Sequence, residues 1–227
     1  MKEYYLENLS DAGWGVNKTL ILQSNWKDKY RSILAKRSVD HLTLNWALGW
    51  KDTNIHFLST LQDVGLKGIT LVLSDAKDLN PLRYLLDLEV INITDTRYIS
   101  CPDFATFPKL RILNINYRSP AKSLFNCKNL NTLGILQYPH KDLQPLSHMI
   151  DLRELCIYKS SKLESLSGIN HLKNLELLDL YRCNKLASLD GIQHAPKLTR
   201  ANTIINKCKH ITPDAPFADR VTFQNHD

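Results

Sequence analysis

Tyr158-Lys159 and Tyr181-Arg182 are one aromatic and cationic pair placed twice, 23 residues apart, and Asn116-Tyr117 is a third aromatic step ahead of them. Residues of these types do the chemistry of recognition. Tyrosine and tryptophan bury a large area while freezing few rotors, and arginine makes several directed hydrogen bonds, so these types concentrate the energy of interfaces. Arg200 adds positive charge further on, and Glu154 and Asp179 intersperse carboxylates that can form ion pairs. Trp46, Asn92 and Asn114 fall at related periodic positions nearer the N-terminus. Together these residues are the expected partner-binding surface. A patch that mixes tyrosines with both signs of charge suits a protein better than a bare polyanion.

Covalent catalysis has no comparable pattern. There is no Gly-x-x-x-x-Gly-Lys-Ser/Thr phosphate loop, no Gly-x-Ser-x-Gly nucleophile elbow and no His-Glu-x-x-His helix. The chain therefore reads as non-enzymatic, with no catalytic residue and no cofactor. Its eight histidines are scattered. His171 and His194 share a periodic position, but two histidines alone make a poor metal site, so no metal is expected. The five cysteines, Cys101, Cys127, Cys156, Cys183 and Cys208, are odd in number and include no Cys-x-x-Cys pair, which reads as reduced structural thiols.

The elements that position these residues are copies of one unit. Leu-x-x-Leu/Ile-x-Leu/Ile begins at Leu66 and returns at Leu88, Leu110, Leu130, Leu152 and Leu175, at spacings of 22, 22, 20, 22 and 23 residues. The intervening segments repeat too: Asp78-Leu79-Asn80-Pro81-Leu82 recurs as Asp142-Leu143-Gln144-Pro145-Leu146. No unit of this length buries its own apolar face, so neighbours stack into one core. In a strand of such a unit the first, fourth and sixth residues point inward, and the third, fifth and seventh point outward, with the eighth at the edge. The fifth column, Thr43, Thr70, Asn92, Asn114, Gly134, Cys156, Asp179 and Asn202, is small and polar. The seventh and eighth columns hold Trp46, Tyr117, Tyr158, Lys159, Tyr181 and Arg182.

With these motifs the chain resembles the leucine-rich repeat superfamily, and the Asp-Leu-x-Pro-Leu segments are similar to the short bacterial, internalin-like class. The resemblance covers about residues 39–205. It implies an α/β solenoid: a horseshoe with a concave parallel β-sheet, an irregular or short-helical convex side, and a cap at each end. In this class the ninth position commonly holds Asn or Cys to bond the turning backbone, and Cys183 and Ser160 occupy it here.

The expected organisation is an N-terminal cap over residues 1–38, repeats over 39–205 and a C-terminal cap over 206–227. In the first cap, Trp26, Tyr30, Ile33 and Leu34 fall at helical spacing, and Val16-Asn-Lys-Thr19-Leu20-Ile21 reads as a degenerate repeat. In the last, Pro213 and Pro216 mark a turn before an edge strand at Val221-Thr-Phe223. Hydrophobic residues make up 43% of the 227, enough for a long core. No run approaches the roughly 18 apolar residues of a membrane span, and the N-terminus lacks an apolar secretion core, so the expected location is cytoplasmic, off the membrane.

These features point to a protein-binding module that clasps a partner in its concave face, as a monomer or in a 1:1 heterocomplex. A stand-alone repeat protein of this kind resembles the immunity proteins that neutralise a cognate toxin domain, since blocking a toxin needs only a tight complementary surface. Two alternatives follow from other features. Net charge is +6, from 29 basic and 23 acidic residues, and Lys27, Lys29, Arg31, Lys36 and Arg37 cluster in the first cap. With Lys159, Arg182 and Arg200 that cluster is the expected surface of a nucleic-acid-binding protein. A regulatory or targeting subunit of an enzyme is the other alternative.

Overall fold

The computed structural model describes residues 3–36 and 38–204. The expected C-terminal cap, with Cys208, Pro213, Pro216 and Val221–Phe223, lies outside the described residues, as do Arg37 and Ile205. The chain divides into two compact units, Met1–Asn126 and Cys127–Asp227.

In the first unit, β1 (Tyr4–Asn8) pairs antiparallel with β2 (Lys18–Leu22). From β2 onward every neighbour is parallel: β3 (His41–Asn45), β4 (Gly68–Val72), β5 (Val90–Thr94) and β6 (Ile112–Asn116) follow in chain order. The second unit repeats the arrangement with β7 (Thr132–Leu136), β8 (Glu154–Tyr158), β9 (Leu177–Tyr181) and β10 (Arg200–Ile204). Both units have the leucine-rich repeat architecture that the spacing predicts.

The register follows from burial. In the six repeats from Leu66 to Leu180, the residues at the first, fourth and sixth positions are at most 2% exposed. Each buried leucine or isoleucine contributes about 2 kcal/mol relative to leaving it in water. A slip of one residue would turn that whole set to solvent, which fixes the pairing. The entries to β4, β6 and β9 share one backbone pattern, in which the carbonyl of the second residue of a repeat accepts two N–H groups from the next repeat. Asp40 O takes Lys67 and Gly68, Glu89 O takes Arg111 and Ile112, and Arg153 O takes Glu176 and Leu177.

The connections on the other side are 3-10 turns, as short as their length allows. Pro81 opens the turn Asn80–Tyr84 and Pro145 lies in Gln144–Leu146, where the missing N–H costs nothing. The preceding carboxylates, Asp78 and Asp142, accept the N–H of Asn80 and Gln144 at 2.9 and 3.0 Å. Gly168 begins another turn at φ +99°, and any Cβ there would lie 2.6 Å from the Gln144 nitrogen, so the position admits glycine alone.

The N-terminal region departs from expectation in two ways. The helix is a single turn, α1 (Arg31–Leu34), after a 3-10 turn at Asp28–Tyr30. Tyr30 and Leu34 are buried beneath it, but Trp26 lies ahead of it and stacks on Phe57 with ring centroids 4.1 Å apart. The degenerate repeat is also shifted by one residue. Thr19 pairs with His41 and Leu20 with Leu42, so Leu20 and Leu22 face the core while Thr19 and Ile21 face outward. The expectation placed Thr19 inward. Apolar residues on both faces of β2 hide the alternation, and both faces are in fact buried.

Candidate functional site

The outward face of the first unit is partly roofed by its own chain. Its third column reads His41, Gly68, Val90 and Ile112 across β3 to β6. Val16 joins Val90 and Ile112 in a buried cluster, with Leu9 and Trp14 packed against it. Trp14 also lies over the His41 ring at 6.1 Å. The loop between β1 and β2 thus covers these strands. Gly68 makes this possible, because a Cβ there would sit 2.3 Å from His41 Cδ2 and 3.2 Å from Val16 Cγ1.

Beneath the roof runs a hydrogen-bond chain. Asn114 donates its amide to Asn92 at 2.7 Å, and Asn92 donates to the Thr70 hydroxyl at 3.2 Å. The Thr70 hydroxyl lies 3.2 Å from His41 Nε2, and His41 Nδ1 lies 2.9 Å from the Thr19 hydroxyl. The Thr19 and Thr43 hydroxyls are hydrogen-bonded at 2.9 Å. Both ring nitrogens of His41 therefore have a partner within the chain. Burial pulls its pKa down to about 4, against the opposing charge of Asp40. Asn92, at 4% exposure, is thereby a structural residue more than a contact residue, and Asn114 is its half-buried neighbour.

Trp46 is half exposed, and its indole N–H donates to Asp95 at 3.3 Å, two strands away. Tyr117 packs against Phe125 with centroids 5.8 Å apart, and the Asn116 carbonyl accepts from the buried Tyr98 hydroxyl at 3.0 Å. These residues lie in the first unit.

In the second unit the structure brings together Tyr158, Asp179, Tyr181 and Arg182. Tyr158 is opposite Tyr181 and Cys156 opposite Asp179 in the β8–β9 register. The two rings tilt at 56° with centroids 6.4 Å apart, and the Tyr158 hydroxyl donates to Asp179 at 3.4 Å. Arg182 lays its guanidinium on the Tyr181 ring at 5.1 Å. Glu154, Lys159, Arg182 and Arg200 are exposed, while Tyr158, Asp179 and Tyr181 are partly buried. Burial raises the Asp179 carboxyl above its ordinary range, with the Tyr158 hydroxyl and the Arg200 charge acting the other way.

Lys159 and Arg182 reach the rim through an unusual backbone. Asp95, Gln137, Lys159 and Arg182 all hold the eighth position at φ between 46° and 66°. A residue with a side chain pays about 1 kcal/mol for that conformation. Leu73 and Tyr117 hold the same position without it, so it is not obligatory; at Gln137 and Lys159 it accompanies donation of their N–H groups to Tyr158 O and Tyr181 O of the next strand.

The ninth position behaves as the family resemblance implies. Ser160 Oγ donates to Tyr138 O at 2.9 Å and accepts from Leu163 N at 3.0 Å, and Cys183 Sγ lies 3.7 Å from Ile157 O. Cys101, Cys156 and Cys183 are free thiols. Burial pushes Cys101 up to about 12 and Cys156 and Cys183 up to about 11, so at neutral pH these are thiols and not nucleophilic thiolates. His171 and His194 are both exposed, each closing a 3-10 turn. Among the described residues no group of three His, Cys, Asp or Glu side chains is placed to hold a metal ion, and no helix is long and apolar enough to cross a membrane.

The N-terminal basic cluster is largely paired within the chain. Lys27 and Lys29 both contact Glu3, and Arg31 contacts Asp63. Sequence reasoning missed the roofing loop. The signal for it was Val90 and Ile112, apolar residues in an outward column that needs a cover.

No protein-family model matches the chain, and no curated protein matches it in sequence. Solved structures do share its fold. Internalin C2 from Listeria monocytogenes is 18% identical over 86% of this chain and 84% of its own, with a TM-score of 0.59. A leucine-rich repeat protein from Leptospira interrogans is 14% identical over 89% of this chain and 63% of its own, at 0.55. The leucine-rich repeat domain of a type III effector is 15% identical over 78% and 74%, at 0.53.

Proposed function

We propose that this leucine-rich repeat solenoid is a non-enzymatic protein-binding module, and that its contact surface is centred on the outward face of β8 and β9. The observation that carries the reading is the cluster of Tyr158, Tyr181 and Arg182 around Asp179, in which aromatic area, cation and carboxylate meet on strands fixed by a buried core. Rigid placement matters because a partner then meets residues that lose little freedom on binding. Within this class the narrower reading is a bacterial immunity protein, acting in the cytoplasm and occluding a toxin domain in a 1:1 complex. The internal pairing of Lys27, Lys29 and Arg31 weighs against nucleic acid as the partner, because those cations already face carboxylates.

Capture from a lysate of the native source, with and without nuclease, tests this. A stoichiometric protein that survives nuclease and is weakened at least about tenfold by Tyr158→Ala with Tyr181→Ala is the expected result, since two interface tyrosines of hot-spot type are removed. Recovery of nuclease-sensitive material alone, unchanged in that variant, contradicts it.

A further inference from the structure

We infer that the cluster formed by Tyr158, Asp179 and Tyr181 receives an arginine side chain of the protein partner. The inference rests on the reading that this face binds a protein, and it names what the partner brings. Asp179 is the charged member of its column in the second unit, where Gly134, Cys156 and Asn202 are its fellows. It is partly buried, and its hydrogen bond from Tyr158 is 3.4 Å long, well beyond the usual span of about 2.5–3.0 Å for O–H···O. Among the described residues no Lys, Arg or His comes within ion-pair distance of it, although eight such pairs form elsewhere. Covering this carboxylate with a partner while leaving it charged and unpaired would be strongly unfavourable, so a partner that brings a cation keeps it ionised where any other would force it to take a proton.

The rings choose the cation. Tyr158 and Tyr181 stand beside Asp179 with their planes at 56°. A guanidinium already lies on Tyr181, that of Arg182 at 5.1 Å, which shows that this ring accepts one. A planar guanidinium can stack on a ring while its N–H groups reach a carboxylate, whereas an ammonium offers a compact point charge. Glu154, exposed on β8, adds negative charge to the approach. Arg200 opposes it: its charge already favours ionised Asp179, so an incoming arginine competes with it.

The test uses the full chain and small probes. N-acetyl-arginine methylamide, its lysine counterpart and its neutral isostere, the citrulline compound, are titrated while the tyrosine ring resonances are followed by NMR. The arginine probe is expected to shift the Tyr158 and Tyr181 signals saturably, with the citrulline probe at least about tenfold weaker, as befits loss of a charge-assisted hydrogen bond. Asp179→Asn should abolish the response and Arg200→Ala should strengthen it. Equal response to citrulline in the wild-type chain, which needs no variant to fold, overturns the inference. A captured protein that depends on Tyr158 and Tyr181 but is indifferent to Asp179→Asn also overturns it, while leaving the protein-binding reading intact. Arginine-selective binding with no protein captured supports the inference about the cluster and removes the reading of partner class.

Discussion

Leu178→Asp is expected to abolish the folded state of the second unit, and Leu113→Asp that of the first. Leu178 is fully buried on β9, flanked by Leu155 on one side and Ala201 on the other, and Leu113 is fully buried opposite Ile91. Truncating a buried leucine costs about 3–5 kcal/mol through lost transfer and the cavity left behind. Placing an unpaired carboxylate there adds several kcal/mol more, or forces it to take a proton. The sum rivals the roughly 5–15 kcal/mol that holds a typical domain together. Because each repeat is stabilised by its neighbours, the loss spreads along the stack. Leu178→Met, which keeps the volume, should cost less than about 1.5 kcal/mol and serves as the control. Thermal melts followed by circular dichroism decide it: native melting in both aspartate variants would mean that the register is wrong.

The second large effect is a loss of stability on mild acidification. His41 links the hydrogen-bond chain between Asn114 and Thr43, and burial lowers its pKa from an ordinary 6.5 to about 4 in the folded protein. Between those values the unfolded chain binds a proton that the folded chain refuses. The stabilisation is therefore complete above about pH 6.5 and is lost as pH falls toward 4. At about 1.4 kcal/mol for each pH unit, the loss approaches roughly 3 kcal/mol. Urea midpoints at pH 7, 5.5 and 4.5 should fall steeply in the wild type and more gently in His41→Gln. His140, whose pKa burial also lowers, contributes a residual slope of the same sign. Identical slopes in wild type and variant would show that His41 is not held neutral.

The repeats from Leu66 onward could be read residue by residue because inward and outward positions there differ in kind. Apolar residues at the first, fourth and sixth places and small or polar ones at the fifth leave one register open. Around Leu20 the same reasoning slipped by one residue, because β2 is covered on its outward face as well and carries Leu20, Ile21 and Leu22 in succession. The antiparallel strand β1 gave no sign, since Tyr4, Tyr5 and Leu6 neither alternate nor match the repeat. The left-handed turns at Gln137 and Lys159 were invisible for a different reason: neither residue type favours that conformation, which is held by hydrogen bonds to carbonyls of the next strand. For the candidate site, the grouping of Tyr158, Asp179, Tyr181 and Arg182 follows from the columns. The diversion of Asn92 into an internal hydrogen-bond chain does not, because the chain runs on through Thr70 to His41, which stands in a different column.

The central claim is that a protein partner meets the outward face of β8 and β9 and not the opposite side of the repeats. It is tested most directly by measuring the affinity of the purified partner for two sets of folded variants. One set is Tyr158→Ala, Tyr181→Ala and Arg182→Ala on the strands; the other is His171→Ala and Lys173→Ala on the exposed turn between β8 and β9. The account predicts that Kd rises by about tenfold or more for members of the first set and by less than about twofold for the second. The reverse pattern would contradict it.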